Sequence, residues 1–356
     1  MMDLKKVEIL ILVPKINLLG GIAGYYSAVR PYLPDNIKYF TRGSRGINNK
    51  LIRLLIFVFD LFRFNGIIFF YNPVTIVINS SIGHEGLKRD AIFLKLAKRI
   101  LKKKVIVFFR GWESSFFRNK ETPKWFNNAF LKSDKIIVLA KEFKDQLIEA
   151  GYLGPIIIET TAFDNRLLAY NPIVSRPAAF FSILFLARIE RDKGIYEALK
   201  AVKKLQNVRD NVFLDVAGEG SELGNVKSFV ESEKINKVFF HGFVRGKTKA
   251  ELFKTASVFL LPSYHEGMPN SVLEAMAFGL PVLTTKVGGI NDFFIEEKMG
   301  FFIESHNHES IYMQLLKLID FPPLCHEIKK YNSEYAMNNF YSDKVANRLI
   351  KHFEFE

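Results

Sequence analysis

The chain has 356 residues, a formal net charge of +13 and a hydrophobic content of 49%. This length predicts two domains, because one hydrophobic core rarely organises so long a chain, and the apolar content excludes a disordered or fibrous protein. The one cysteine, Cys325, excludes an internal disulfide and a cysteine-based zinc site, so a reducing, cytosolic compartment is the simplest expectation.

The first half of the chain alternates predicted strands with predicted helices. Short apolar runs indicate strands at residues 7–13, 37–41, 75–79, 104–109, 135–140 and 156–159. The Gly20-Gly21 turn and a helix to about Tyr32 follow the first of them. Residues 7–13 are too short for a secretory signal and precede no small-residue cleavage site, which favours a strand.

A longer apolar stretch covers residues 51–78. Arg53, Asp60, Arg63 and Asn65 interrupt it, and no part of it approaches about 18 uninterrupted apolar residues, so we expect it not to span a membrane. The spacing of the three charged residues predicts one narrow polar stripe on a helix.

The positive charge is concentrated in residues 85–104, which contain eight basic and two acidic residues. The apolar residues there follow helical spacing, which predicts an amphipathic helix with a basic face. That face is either a solvated surface or a patch that contacts anionic lipid. Nucleic acid is not an expected partner, since aromatic residues are not interleaved with the basic ones as in RNA-binding proteins.

Residues 161–178 break the alternation, since they contain Asn171-Pro172 and Pro177 and show no periodicity, which predicts an interdomain linker. Apolar runs typical of buried parallel strands then follow at residues 181–187, 212–217, 238–241, 258–261 and 281–285. The sequence therefore predicts an α/β fold of two Rossmann-like, doubly wound domains facing across a cleft. Their predicted bounds are 1–165 and 178–335, with 336–356 as a C-terminal helix that packs back toward the first domain.

The most informative segment is residues 263–285. Glu266 lies in a loop directly after a predicted strand, and Gly267 and Pro269 keep that loop out of a helix. A helix then begins near Asn270 or Ser271, with Glu274 in its first turns. Ser271 and Glu274 also fit a capping box, in which Glu274 would only stabilise its own helix. Glu266 has no such structural explanation, and helix N-termini and carboxylates suit phosphates and sugar hydroxyls.

This segment resembles the signature of the GT-B retaining glycosyltransferases of family 4 (glycosyl transferases group 1). Two glutamates separated by seven residues, Glu266 and Glu274, stand in the family's context, with Gly267-Met268-Pro269 after the first and Ala275-Met-Ala-Phe-Gly-Leu-Pro-Val282 after the second. The resemblance implies that Glu266 is catalytic and holds the donor sugar. It also implies that Glu274 holds the nucleotide ribose and that the helix start at Asn270 and Ser271 holds phosphate.

Further matches extend the resemblance. Residues 186–194 look like the family's strand-end G-R-x-x-x-x-K-G, with Ala187 in place of the usual glycine, and imply that Arg188 and Lys193 are catalytic cations on the donor diphosphate. An exposed charged loop is the alternative. Gly218 and Gly242 stand at strand ends that flank the nucleotide base in relatives, and Gly20-Gly21 resembles the glycine loop near the phosphates.

One departure lies at the end of the strand at 104–109. Many relatives have His-Gly there, whereas this chain has Arg110-Gly111, and an arginine cannot act as a base at neutral pH. Arg110 is predicted to bind the donor, although it could also simply pair with Glu113. His84 is a second candidate from the first domain, but a single histidine in a loop is more often structural or solvated.

The resemblance implies a metal-independent hexosyltransferase without a cofactor, using a UDP- or GDP-type sugar and a glycan or lipid-linked acceptor. Its expected role is cell-surface polysaccharide or lipopolysaccharide biosynthesis, in the cytoplasm and peripherally on the inner face of the membrane. Two alternatives remain: a GT-B sugar-nucleotide epimerase, and a non-catalytic donor-binding subunit of a polysaccharide assembly complex.

Overall fold

The computed structural model describes residues 8–16, 21–43, 45–47, 49–83, 85–117, 122–170 and 180–355. They divide into two compact units. The first comprises Met1–Thr161 together with Ser342–Glu356, and the second comprises Ala162–Tyr341.

The first unit is built on a sheet of six parallel strands in the order β2-β1-β3-β4-β5-β6. The strands are β1 (Ile9–Val13), β2 (Ile37–Thr41), β3 (Thr75–Ser81), β4 (Lys104–Gly111), β5 (Lys135–Val138) and β6 (Ile156–Ile158). The helices between them are α1 (Gly21–Val29), α2 (Lys50–Tyr71), α3 (Gly86–Lys95), α4 (Lys124–Asn127) and α5 (Lys141–Glu149). β1 is apolar and buried throughout, and β5 is apolar and buried after Lys135, as expected for parallel strands covered by helices on both faces.

The second unit has the same architecture, with strand order β12-β11-β10-β7-β8-β9, all parallel. Its strands are β7 (Phe181–Leu186), β8 (Val212–Ala217), β9 (Val238–Gly242), β10 (Val258–Leu261), β11 (Val282–Thr284) and β12 (Gly300–Phe302). Its helices are α6 (Ile195–Gln206), α7 (Leu223–Ser232), α8 (Gly246–Thr255), α9 (Asn270–Ala277), α10 (His308–Asp320) and α11 (Pro322–Asn339). The prediction of two Rossmann-like α/β units is confirmed.

Each sheet has one switch point, where the chain reverses the direction in which it adds strands. In the first sheet this point lies between β1 and β3, and in the second it lies between β7 and β10. Ligands of open α/β sheets bind outside the carboxyl ends of the strands at such points. The loops after these four strands are therefore the places to look for sites.

The boundaries of the units differ from the predicted ones. Residues 162–170, expected as linker, belong to the second unit, because Phe163 packs against Phe278 and Tyr341 and its amide donates to the carbonyl oxygen of Phe340 (2.7 Å). The remainder of the predicted linker, from residue 171 on, lies outside the described residues.

The last helix, α12 (Ser342–Phe353), belongs to the first unit. Its Arg348 donates two hydrogen bonds to Glu159 Oε1 and one to Oε2, at 2.7–3.1 Å, and His352 Nε2 lies 3.0 Å from Oε2. Burial raises the pKa of Glu159, but the hydrogen bonds from His352 and Arg348 outweigh it and lower that pKa to about 2. An ion pair of buried Glu159 therefore fastens α12 beside β6.

α2 is a helix, as the spacing of its charged residues predicted. It is one continuous helix of 22 residues that, by length and composition alone, could cross a membrane. Only 17% of its most apolar window is buried. Asp60, on the predicted polar stripe, is buried and pairs with Arg45 and Arg63. Asp60 therefore faces the protein, whereas Arg53 on the same stripe is exposed.

The outward face of α2 is apolar. Large side chains exposed by 43–83% recur along its whole length, namely Leu51, Leu55, Val58, Phe62 and Phe69. Helical spacing places them opposite the buried Asp60, Phe64 and Ile68. Because α2 connects two parallel strands of one sheet, β2 and β3, both of its ends return to that sheet. In this fold it lies along the first unit and could span a bilayer only if the sheet opened.

Candidate active site

The switch point of the second sheet is formed by the loops after β7 and β10. The amide of Tyr264 donates to the carbonyl oxygen of Asp192 (2.8 Å), which joins the two loops. Gly194 has a φ of +72°, and a Cβ there would lie 2.2 Å from the carbonyl oxygen of Pro262. Only glycine fits this position, so the close approach of the two loops depends on it.

Lys193 and Glu266 meet across these loops. Lys193 Nζ lies 2.8 Å from Glu266 Oε1 and also donates to the carbonyl oxygen of His265 (3.2 Å) and to Ser263 Oγ (3.4 Å). The Lys193 and Glu266 side chains are only 10% and 14% exposed. A nearly buried ion pair whose ammonium group is fully bonded is held in one geometry. The structure thus brings together two of the three residues expected to be catalytic.

The third, Arg188, follows β7 and is exposed. Its neighbour Glu190 accepts hydrogen bonds from the hydroxyl (2.7 Å) and the amide (3.3 Å) of Ser221. These hydrogen bonds lower the pKa of Glu190, with a smaller contribution from the nearby Arg188 and Lys193. The loop is therefore fixed by Glu190, while the Arg188 guanidinium remains open to solvent. The exposed-loop interpretation describes Arg188 but not the nearly buried Lys193.

The helix start beside this pair is open. α9 begins at Asn270 with Pro269 as its N-cap residue, has no side-chain cap and carries no acidic residue in its first turn. The capping-box interpretation is wrong, because Ser271 lies inside the helix and Glu274 is bonded elsewhere. The positive end of the helix dipole is thus free of a local carboxylate, which suits an anion.

Glu274 pairs with Lys249 of α8, at 2.6 Å between Lys249 Nζ and Glu274 Oε1. Glu274 Oε2 is buried and has no hydrogen-bond partner among the described residues. A buried carboxylate oxygen without a donor has acceptor capacity for a ligand hydroxyl. Lys249 was not predicted from the sequence, since the approach of α8 to α9 is a tertiary contact that no sequence motif indicates.

A glycine pair supports the Glu266 loop from the next strand. Gly289 donates its amide to the carbonyl oxygen of Gly267 (2.6 Å), and a Cβ on Gly288 would lie 2.0 Å from the carbonyl oxygen of Glu266. Met268 and Pro269 are buried beneath this turn. The backbone of the Glu266 loop is therefore held from β11 as well as from β7.

The other strand-end glycines lie on the opposite side of β7. Gly218 has a φ of +145°, donates its amide to the carbonyl oxygen of Gly242 (2.8 Å), and leaves no room for a Cβ, which would lie 1.8 Å from the carbonyl oxygen of Ala187. Gly242 also has a positive φ, +62°, but open space beside it. Both glycines thus line the carboxyl edge of β8 and β9, which in the family resemblance flanks the nucleotide base.

The expected residues of the first unit stand at its own sheet edge. Gly21 is the first residue of α1, whereas Gly20 and His84 lie outside the described residues. Arg110 is the penultimate residue of β4, and its guanidinium lies 3.7 Å from the centre of the Tyr25 ring. Its Nε and Nη1 have no hydrogen-bond acceptor in the described part of the chain, and burial lowers its pKa. The contacts that fix Arg110 are aromatic.

A search of the described residues for three or more His, Cys, Asp or Glu side chains able to hold a metal ion finds no such group.

Two Rossmann-like α/β units with a candidate site at the switch point of the second are the architecture of the GT-B fold class. Solved structures have the same architecture. The chain is similar to sucrose-phosphate synthase from Thermosynechococcus elongatus, with a TM-score of 0.76, 14% identity, and coverage of 97% of this chain and 98% of the other. It is also similar to HepE of Anabaena, solved in complex with UDP-glucose, with a TM-score of 0.74, 16% identity, and coverage of 97% and 98%. At these identities the likeness concerns the fold.

Residues 174–335 match the family model described as "Glycosyl transferases group 1". Among curated proteins, the chain is similar to the capsular polysaccharide biosynthesis glycosyltransferase CapM of Staphylococcus aureus, 29% identical over 58% of this chain and 54% of CapM. It is also similar to the putative colanic acid biosynthesis glycosyltransferase WcaL of Escherichia coli (strain K12), 23% identical over 70% of this chain and 64% of WcaL. The matches span less than two thirds of either relative.

Proposed function

We propose that the protein is a retaining glycosyltransferase of family 4 that moves a hexosyl group from a UDP- or GDP-type sugar to a hydroxyl of a glycan or lipid-linked acceptor. Its role would lie in cell-surface polysaccharide or lipopolysaccharide biosynthesis. The observation that carries the proposal is the nearly buried Lys193–Glu266 pair beside the uncapped start of α9 at the switch point of the second sheet. The family match of residues 174–335 supports the same chemistry.

The reaction we propose is a substitution on one face of the donor sugar. The bond between C1 and the diphosphate oxygen breaks, the acceptor oxygen bonds to C1 from the same side, and the acceptor proton passes to the leaving phosphate oxygen. Charge that develops on this oxygen needs cations and helix dipoles placed in advance. Arg188 and the start of α9 supply them without a metal ion or a cofactor.

The hydrogen bonds of Lys193 refine its part in this scheme. The ammonium group already donates to three oxygens, so a phosphate oxygen can join only by replacing one of them. Arg188 is exposed and can meet the diphosphate directly. Lys193 therefore orients the Glu266 carboxylate for the donor sugar in the free enzyme, and Glu274 Oε2 accepts from a nucleotide hydroxyl.

The test uses the full chain, UDP- and GDP-sugars, and a candidate acceptor glycan. We expect release of free nucleoside diphosphate only when the acceptor is present, and a product with the donor's anomeric configuration by nuclear magnetic resonance. Donor consumption without an acceptor, giving an epimerised sugar, would establish the epimerase alternative. Tight nucleotide binding without turnover on any acceptor would establish the donor-binding subunit.

We further propose that the enzyme works in the cytoplasm on the inner face of the membrane, with the outward face of α2 lying in the lipid interface. Support comes from the apolar outward face of α2, the net charge of +13, and basic residues at both ends of this helix. Lys50 and Arg53 lie at its start, and Lys103 Nζ donates to Asn72 Oδ1 just after its end. Apolar side chains flanked by cations are typical of interfacial helices.

A vesicle co-sedimentation assay tests this attachment. Replacing Phe62 and Phe69 by serine should weaken binding to anionic vesicles at least about 100-fold, because each buried Phe contributes roughly 1.5–3 kcal/mol. The control replaces Leu153 and Met313, which are 98% and 59% exposed and lie outside α2. Equal effects of both double variants, or binding that ignores anionic lipid and salt, would contradict the proposal.

A further inference from the structure

The first unit has a cavity at its own switch point, between the ends of β1 and β3. Its volume is about 300 Å³, which is within the range of small-molecule sites. Residues from several elements line it: Lys15 follows β1, Arg42 and Arg45 follow β2, Ser80 and Ser81 end β3, and Gly86 begins α3. The second switch point holds the donor site proposed above, whereas the residues that line this cavity have no role assigned to them.

The charge of this cavity is strongly positive. Four cations line it, Lys15, Arg42, Arg45 and Arg89, against one carboxylate, Asp90. Asp90 is shared, because Arg42 donates to its Oδ2 (3.0 Å) and Arg89 donates to its Oδ1 (3.1 and 3.2 Å). Even when the Asp60 partner of Arg45 is also counted, the four cations exceed the two carboxylates by two charges.

Arg42 is the most informative of these cations. It is only 4% exposed, and its Nε is buried without a hydrogen-bond acceptor among the described residues. Burial lowers its pKa to about 10, against the raising effect of Asp90, so it stays charged at neutral pH. A buried guanidinium with an unused donor costs free energy unless a ligand or water supplies an acceptor.

The start of α3 adds a second kind of positive potential. Gly86 and Leu87 line the cavity, and the first turn of α3 carries no acidic residue. Glu85 at the N-cap position makes no side-chain cap; it is 84% exposed and is paired with Arg53 instead. A helix N-terminus, arginine side chains and a lysine are the groups that proteins use for phosphate, and this cavity has three arginines and one lysine.

We propose that this cavity binds a phosphoryl group of the acceptor, so that the acceptor is a phosphorylated sugar or a polyprenyl phosphate carrying its glycan. The assignment of the anion to an acceptor rests on the proposed glycosyltransferase function. The excess of two positive charges matches a phosphate dianion or a diphosphate. The cavity thereby selects acceptors by their phosphate, independently of the sugar that carries the hydroxyl.

Equilibrium dialysis of the full chain with radiolabelled inorganic phosphate, at constant ionic strength, tests the site. Lys15→Met and Arg89→Met should each weaken phosphate binding at least tenfold, because each removes one of the converging cations. Lys88→Met is the matched control: Lys88 precedes Arg89 on α3 but points away from the cavity, toward the Trp125 ring. It should change the affinity less than twofold. Lys15 is exposed and Arg89 is half-buried, so both variants should fold, as circular dichroism will show.

The same dialysis separates this site from the donor site and identifies the source of the phosphate. If Arg188→Ala or Lys88→Met weakens phosphate binding as much as Lys15→Met and Arg89→Met do, the proposal is overturned. Competition by glucose 6-phosphate indicates a soluble acceptor, and competition by vesicles with polyprenyl phosphate indicates a lipid one. Competition by neither, or equally strong competition by glucuronate, would overturn the phosphoryl assignment.

A thermal-shift measurement with UDP and GDP on the same protein keeps the two proposals distinguishable. If UDP or GDP raises the melting temperature but inorganic phosphate does not bind, the acceptor-phosphate proposal fails and the proposed glycosyltransferase function stands. Phosphate binding with the expected variant pattern, but without nucleotide stabilisation, removes the acceptor role.

Discussion

Glu159 offers a prediction whose magnitude follows from the structure. The change is Glu159→Gln, which keeps the shape of the side chain and removes the charge that Arg348 and His352 of α12 contact. Glu159 is 3% exposed, so its interactions are little screened by solvent. Its pKa lies near 2 rather than at the ordinary 4.5, which at about 1.4 kcal/mol per unit is roughly 3 kcal/mol of stability at neutral pH.

The sign of the pH dependence follows from the lowered pKa. The stabilising effect of the carboxylate is complete above about pH 5, is lost as the pH falls through the interval from 4.5 to 2, and is absent below it. The free-energy difference between wild type and Glu159→Gln should therefore shrink from about 3 kcal/mol at pH 7 to near zero at about pH 2.

Urea unfolding followed by tryptophan fluorescence measures this difference. Both tryptophans of the chain, Trp112 and Trp125, lie in the first unit, so their signal reports the unit that contains Glu159. Glu149→Gln, an exposed carboxylate at the end of α5, is the control and should change stability by less than about 0.5 kcal/mol. A Glu159→Gln effect that is equally small, or that stays constant between pH 7 and 3, would refute the reasoning.

Three further predictions concern the second unit. Lys193→Met should lower kcat/KM in a steady-state assay by a factor that corresponds to a loss of about 2–4 kcal/mol of transition-state stabilisation. A near-normal kcat/KM would remove Lys193 from the active site. Lys249→Met should weaken nucleoside diphosphate binding at least fivefold by calorimetry, whereas Lys247→Met, on the same helix, should not; equal affinities would separate Glu274 from the nucleotide. Gly194→Ala should destabilise by about 1–3 kcal/mol in thermal unfolding, because its Cβ would meet a backbone carbonyl, and Gly21→Ala, which has open space, should not.

The apolar runs of the sequence were sufficient to predict the two α/β units and every named strand except β12 (Gly300–Phe302), whose three residues form too short a run. Parallel strands buried on both faces are mostly apolar along their length, so each of them can be recognised in the sequence as a short continuous run of apolar residues. Gly194 could likewise be noticed as the last residue of the strand-end motif at 186–194, since a backbone that approaches another backbone this closely admits only glycine.

The partners of charged side chains were not predictable, because the local sequence does not show which residues a charged side chain will contact in the folded protein. The polar stripe of α2 was found correctly from its spacing, but only the packing of Asp60 against Arg45 and Arg63 decided that it faces inward and leaves Phe62 and Phe69 outside.

The proposed donor site and the cavity of the first unit show the same division. The sequence determined that Glu266, Glu274, Arg188 and Lys193 stand near strand ends and a helix start, because those local features are encoded within a few neighbouring residues. Only the tertiary structure decided that Lys193 is bonded to Glu266, that Glu274 meets Lys249, and that four cations converge between β1 and β3. Each of these contacts joins segments distant in the chain, and strand order brings them together.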